Sequence, residues 1–236
     1  MKNTTVELTP QCHDIPNKFN DHFLKAGVLN DDSIDEEFKK YLNNSPNFSL
    51  YLTPVTQSEV EKYLQSLKTT ASGCDEISPT ILKRTANLIS GPLTNIINLT
   101  LKTGIFPSEL KKAKVIPLLK SGNRKDINNY RPISILPAFS KIFEKAISTR
   151  LVHFIETNNL FSDSQHGFRS GRSTESAITQ FISNVYYYLE KKHYVAGVFL
   201  DLSKAFDSLC HCILSKKLSN FGVRGIPLKL FELYYK

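Results

Sequence analysis

The segment Phe199-Leu200-Asp201-Leu202-Ser203-Lys204-Ala205-Phe206-Asp207-Ser208 carries the sharpest chemical pattern in the chain. An apolar run delivers one carboxylate, Asp201, and a bulky ring and a second carboxylate follow within two turns. Carboxylates at strand ends are a common way to hold Mg²⁺, a hard cation that takes oxygen ligands. In phosphoryl transfer two such ions clamp the attacking and leaving oxygens. Taken alone, the same residues read better as a helix N-cap at Asp201 and a solvent-facing Asp207, because aspartate caps are common.

A second pattern is one of charge. The chain of 236 residues has a net charge of +8. From Lys102 to Arg150 stand Lys111, Lys112, Lys114, Lys120, Arg124, Lys125, Arg131, Lys141 and Lys145, against Glu109, Asp126 and Glu144. Clustered Lys and Arg displace the counterions condensed on phosphates, so the block suits a polyanion. A solvated surface that keeps the protein soluble accounts for the same residues.

The elements that must position these residues are mostly helical. Thr56 and Glu59 form a capping box ahead of Val60, Tyr63, Leu64 and Leu67 at helical spacing. Ser78-Pro79 opens another helix, with proline where its missing N–H costs nothing. Gly91-Pro92 is expected to break it, and a further helix through Leu93, Ile96, Ile97 and Leu101 is expected to end near Gly104. Val115 to Leu119 reads as a strand and Ser121-Gly122-Asn123 as a turn. Phe139 to Phe154 makes the longest helical stripe, and a second long helix runs from about Thr174 to Leu189. Val195 to Leu200 reads as a buried strand. Ser33 and Glu36 suggest a short helix in an otherwise loose, acidic lead-in. The last helix follows Gly225-Ile226-Pro227. The layout is α+β and helix-rich.

No apolar run approaches the roughly 20 residues of a membrane span, and Met1 to Pro10 lack the apolar core of a secretory signal. The four cysteines, Cys12, Cys74, Cys210 and Cys212, contain no C-x-x-C pair, which fits a reducing intracellular compartment without choosing nucleus or cytoplasm. Cys210-His211-Cys212 lacks a second ligand pair, and adjacent helical residues point in different directions, so a zinc site is not expected there.

Several strings, taken in order, resemble the reverse transcriptases of non-LTR (LINE-type, jockey-like) retrotransposons. Phe199 to Asp207 closely matches the family's first palm motif, FLDLxKAFD. Gly73-Cys74-Asp75-Glu76-Ile77 resembles its G-x-D-x-I segment. Gly104-Ile105-Phe106-Pro107, Lys111 to Lys114 and Val115 to Gly122 resemble its G-x-F-P…K-x-A-x-V-I-P-x-x-K-x-G run. Asn129-Tyr130-Arg131-Pro132-Ile133-Ser134 matches NYRPIS. Gln165-His166-Gly167-Phe168-Arg169 with Gly171-Arg172-Ser173-Thr174 matches QHGFRxGRST. Together they cover residues 52–236, and Phe19-Asn20 to Phe23 resembles the segment preceding this domain.

The resemblance implies a right-hand polymerase fold. Residues 1–50 would be a polar acidic lead-in, 51–114 a helical N-terminal extension, 115–194 the fingers and 195–236 the start of the palm. Asp201 would be the first metal-binding and catalytic aspartate. The backbone at Leu202 would lie near the incoming dNTP, and Phe206 would sit below its sugar and exclude a 2′-OH. Lys120 and Arg131 would hold the triphosphate, as a point charge and a planar fork respectively. Gln165, Gly167, Phe168 and Arg169 would lie along the template. The implied partners are an RNA template, a DNA primer and dNTPs, with no membrane; the implied cofactor is Mg²⁺, two ions in an intact enzyme. Oligomeric state carries no signal.

The family's second catalytic element, F/Y-x-D-D, does not occur in these residues. The expectation is that this chain alone does not polymerise, that it is truncated before the catalytic hairpin, and that its palm strand is left with an exposed edge and is prone to aggregate. Two other readings stand beside it: a non-catalytic nucleic-acid-binding relic or domesticated fragment of the same fold, and a group II intron-type enzyme, which the NYRPIS and FLDLSKAFD strings fit less well.

Overall fold

The computed structural model describes residues 14–26, 40, 46–202, 205, 206 and 208–235. The helix expected from Ser33 and Glu36 lies outside them, as do Ser203, Lys204 and Asp207. The chain forms two compact units. The larger takes in residues up to Val152 and from Phe206 onward, and the smaller spans His153–Ala205. The architecture is α+β and helix-rich, with one two-stranded sheet among the described residues.

In the larger unit, α1 (Ile15–Ala26) precedes α2 (Gln57–Ser66). Thr56 caps α2, its Oγ1 accepting the Glu59 N–H at 3.2 Å, and Val60 and Leu64 are buried. Glu59, the other half of the expected box, also meets Arg150. Ser78 caps α3 (Pro79–Arg84), with Pro79 in its first turn. The break falls at Thr85, and α4 (Ala86–Thr103) runs through Gly91-Pro92, contrary to expectation. Proline there leaves the carbonyl of Leu88 without an N–H. Both residues lie on the exposed side of α4, where water takes that acceptor at little cost. The opposite face buries Leu93, Ile97 and Leu101. Asn98 grips the extended segment before α2 from this helix, accepting from the Val55 N–H at 2.7 Å and donating to its carbonyl at 3.0 Å. Gly104 ends α4 at φ +68°, and a Cβ there would lie 2.8 Å from the Ile226 carbonyl.

α5 (Ala138–Thr157) supplies the centre of the core, with Ile142, Phe143 and Ala146 buried. Phe106 packs edge-on against Phe143 and against Tyr234 of α8 (Ile226–Tyr235). The Tyr234 hydroxyl donates to Glu144 at 2.7 Å; burial, then that carboxylate, hold the phenol well above its usual range. α7 (His211–Asn220) packs on α8.

Gly73 explains its own residue type. A Cβ there would lie 2.6 Å from the Pro137 nitrogen and 2.8 Å from the Leu136 carbonyl carbon, both backbone atoms at the entry to α5. Neither can move aside cheaply. Gly73→Ala should therefore destabilise the larger unit by about 2–3 kcal/mol, as overpacking does, read as a lower denaturant midpoint at unchanged slope. A midpoint equal to the parent's would refute the contact.

The sheet pairs β1 (Lys114–Leu119) with β2 (Tyr130–Ile135) in antiparallel register, Lys114 opposite Ile135 and Leu119 opposite Tyr130. Two prolines, Pro117 and Pro132, face each other in mid-ladder. The Lys120 N–H bonds the Asn129 carbonyl at 2.8 Å. Hydrogen-bonded pairs alternate with non-bonded ones. Counting back by twos from Lys120–Asn129 puts both prolines at a non-bonded pair, where neither needs an N–H.

In the smaller unit, α6 (Thr174–Glu190) begins with a complete capping box between Ser173 and Ser176. The expected strand over 195–200 is not formed. Residues 193–202 have no regular structure, and Val198, Phe199 and Leu200 are 81, 83 and 88 % exposed. An internal strand needs hydrogen-bonding neighbours for its N–H and C=O groups. The described residues pair none with it, so apolar composition alone does not produce a strand.

Candidate functional site

The sequence-predicted residues fall in three places. Lys120 and Arg131 belong to the β1–β2 hairpin of the larger unit. Opposite residues of the ladder share a face, and faces alternate along each strand. One face carries Val115, Pro117, Pro132 and Ser134, which line a cavity with α1, and Phe19 of α1 stacks edge-on against Tyr130 of the same face, 4.9 Å between centroids. The other face carries Ile116, Leu118, Ile133 and Arg131, with Lys120 two residues beyond Leu118 on the same side. Both cations are exposed, and among the described residues neither pairs with a carboxylate.

The turn that joins these strands is stiff. Gly122 adopts φ +85° against the Asn129 side chain. Asn129 donates to the Asn123 carbonyl at 3.0 Å, Tyr130 donates to the Arg124 carbonyl at 3.0 Å, and Asp126 accepts from the Asn128 N–H at 3.0 Å. Two unpaired cations beside an apolar strip on a fixed hairpin can grip phosphates while a flat ring lies alongside.

The loop between α5 and α6 holds Gln165, Gly167, Phe168 and Arg169. Gln165 donates to the Gly167 carbonyl at 2.9 Å. A Cβ on Gly167 would meet nothing closer than 3.8 Å, so only an approaching partner could demand glycine there. Phe168 is 92 % exposed and sits at φ +60°, a conformation a non-glycine residue adopts at a cost. Arg169 is committed within the protein. It holds Glu156 through two hydrogen bonds, at 3.1 and 2.8 Å, donates to the Ser162 carbonyl at 3.0 Å and covers the Phe161 ring at 5.0 Å. The guanidinium keeps the Glu156 carboxyl below its usual range, and Glu156 in turn raises Arg169.

Sequence reasoning passed over Glu156 and His166. The His166 ring is set between Ser176, 2.8 Å from Nδ1, and Gln180, 2.6 Å from Nε2. His166 is part of the matched string; Glu156 carries no local signal, since its partner is distant along the chain.

Asp201 and Leu202 lie in the irregular segment of the smaller unit, both exposed, and Phe206 lies beyond it in the larger unit, also exposed. No group of three or more His, Cys, Asp or Glu among the described residues could hold a metal ion. One exposed carboxylate does not fit a two-ion Mg²⁺ site, so no chemical step is assigned to one here.

Residues 118–235 match the family described as reverse transcriptase (RNA-dependent DNA polymerase). The chain belongs to the reverse transcriptase family. Among curated relatives, it is 29% identical over 200 residues to the probable RNA-directed DNA polymerase from transposon X-element of Drosophila melanogaster, covering 84% of this chain and 22% of that protein. It is 30% identical over 182 residues to the RNA-directed DNA polymerase from mobile element jockey of the same species, covering 76% of this chain and 20% of that one. A third relative, the putative 115 kDa protein in type-1 retrotransposable element R1DM, is 31% identical over 72% of the chain and 16% of its own length. The chain thus spans about a fifth of the length of these relatives. The non-LTR resemblance read from the motifs holds. All the predicted site residues of this reverse transcriptase segment, from Lys120 to Phe206, fall inside the matched span. No helix among the described residues is long and apolar enough to cross a membrane.

Proposed function

We propose that this chain is the nucleotide- and template-holding portion of a mobile element's RNA-directed DNA polymerase, which copies RNA into DNA. The observation that carries the reading is the hairpin face where Lys120 and Arg131 stand exposed and unpaired beside Ile116, Leu118 and Ile133. In this reading residues 115–194 serve as fingers, 195–236 begin the palm, 51–114 are a helical extension and 1–50 a lead-in. Lys120 and Arg131 take the triphosphate of the dNTP, and the backbone at Leu202 lies near it. Gln165, Gly167 and Phe168 lie along the RNA template, and Arg169 holds that loop in place through Glu156. Asp201 supplies the first carboxylate of the catalytic site.

Residues 1–236 by themselves contribute one such carboxylate and are expected to bind nucleic acid without extending a primer. That behaviour also fits the second reading, a non-catalytic binder that reuses the fold. The test is a polypeptide that includes an F/Y-x-D-D element. There Lys120→Ala with Arg131→Ala should raise the KM for dNTPs about tenfold or more, because charge-assisted phosphate contacts are lost. An unchanged KM would remove Lys120 and Arg131 from triphosphate binding, and no extension at all by that polypeptide would leave the non-catalytic reading standing. In the same polypeptide Phe206→Ala should admit ribonucleotides by removing the ring that a 2′-OH would strike. An unaltered preference for dNTPs would remove Phe206 from that role.

A further inference from the structure

The C-terminal corner of α6 carries a cluster that neither the core nor the polymerase reading uses. At 100° per residue, Ile178, Ile182, Val185 and Leu189 form one stripe, and Tyr187 and Lys191 fall on the opposite side of the helix. No residue of α6 is buried, and Tyr187 and Tyr188 are about half exposed. Tyr187 and Tyr188 meet edge-to-face, with centroids 5.2 Å apart. Lys191 places its ammonium 4.1 Å from the Tyr187 ring centre, and His193 stacks on Tyr188 at 6.0 Å with planes 22° apart. Tyr194 is fully exposed.

The backbone supplies a second, independent observation. The Lys192 N–H bonds the Leu189 carbonyl at 2.8 Å, and the His193 N–H bonds the Tyr188 carbonyl at 3.0 Å. This is the Schellman ending of a helix, whose left-handed position is ordinarily glycine. Here Lys192 occupies it at φ +59°. A lysine is held in a conformation that glycine would adopt freely, and it sits beside four rings and a second lysine. Glu190 is the one carboxylate among residues 186–194.

We propose that this corner binds single-stranded nucleic acid. The faces of Tyr188, His193 and Tyr194 stack on unpaired bases, Lys191 stays on the Tyr187 ring, and Lys192 meets a phosphate between the bases. Stacking platforms with interleaved cations take single strands of any sequence, because every base has a π-face. A duplex offers its phosphates but not its base faces. The surface shares no residue with the hairpin, the 165–169 loop or Asp201, so it stands whether or not the polymerase reading does.

The test is fluorescence anisotropy of the whole chain with a labelled oligouridine, an oligodeoxythymidine of equal length and a duplex. The parent should bind both single strands more tightly than the duplex. Tyr194→Ala should weaken single-strand binding about fivefold or more, as loss of one stacked base does. Lys192→Gly should weaken it and lower the slope of log affinity against log salt by about 0.7, one phosphate contact, while the melting temperature stays level or rises. Loss of binding with a preserved or higher melting point is what a merely structural lysine would not produce. Tighter binding of the RNA oligomer would name RNA as the ligand, and equal binding any single strand; both support the surface. Parent-like binding by Tyr194→Ala and Lys192→Gly, or a duplex held as tightly as the single strands, would overturn it.

Discussion

Asp201→Asn, placed in a polypeptide that carries an F/Y-x-D-D element, should lower RNA-templated primer extension by at least roughly 10²–10³-fold, the loss seen when one preorganised charge-stabilising group is removed. Asparagine keeps the shape and one oxygen but removes the charge. The Asp201 side chain is exposed, and asparagine is close to it in shape. Folding should therefore be unaffected, and thermal unfolding of the variant should overlay the parent. The deficit should appear in kcat with KM for dNTP little changed, because the group acts in the transition state rather than in nucleotide binding. Extension at the parent's rate would return Asp201 to the ordinary role of a loop aspartate.

The second large effect concerns stability. Arg150 of α5 is 9 % exposed at its side chain and gathers the larger unit around itself. It donates to both oxygens of Glu59, at 3.0 and 3.2 Å, to the Ala146 carbonyl at 3.0 Å, to the Pro54 carbonyl at 3.0 Å and to the Thr53 carbonyl. Tyr63 also donates to Glu59. Removing Glu59 leaves a nearly buried guanidinium without its counter-charge, and breaking such a pair costs about 3–5 kcal/mol. Glu59 keeps some exposure, so Glu59→Ala should fall near the lower end, about 3 kcal/mol. Arg150→Lys should be nearly as harmful, since an ammonium cannot reproduce the fork that spans Glu59 and the carbonyls.

The same pair sets a pH dependence. The hydrogen bonds from Arg150, then from Tyr63, hold the Glu59 carboxyl below its ordinary range despite partial burial. A carboxyl whose folded pKa is depressed binds protons more readily unfolded. Its contribution is complete above the unfolded glutamate pKa and fades as pH falls through the folded one. Unfolding midpoints between neutral pH and mild acid should drop in the parent, and Glu59→Gln should flatten that drop from an already lowered start. A parallel pH profile for the two proteins would refute the assignment.

Helix starts were the most legible part of the fold. Thr56 and Ser78-Pro79 each begin a helix because a side-chain oxygen or a proline acts within one turn, and α6 begins at Thr174 as its apolar spacing predicts. The errors came where a distant partner decides. Pro92 reads locally as a stop, yet the buried face of α4 carries the helix through it. β2 was hidden by Pro132, a strand breaker until its partner is seen to be Pro117 at a pair that needs no N–H. The run at 195–200 has strand composition but no neighbour to bond among the described residues. In the candidate site, Lys120, Arg131 and the 165–169 loop were legible through family strings rather than spacing. That Arg169 is spent on Glu156 depends on a fold contact no local pattern announces.

The division of the chain has a consequence for how it is made. The larger unit is discontinuous, interrupted by residues 153–205. Its early half is closed by late residues: the Gly222 carbonyl accepts the Leu50 N–H, Lys111 reaches the Leu233 carbonyl, and Tyr234 reaches Glu144. On a ribosome, α2 to α5 emerge before the helices that complete their core exist. Bringing such remote segments together is entropically costly and slow. For the time needed to translate residues 153–235, the apolar faces that await α7 and α8 stay open, and nascent chains are most exposed to chaperones and to one another in that interval.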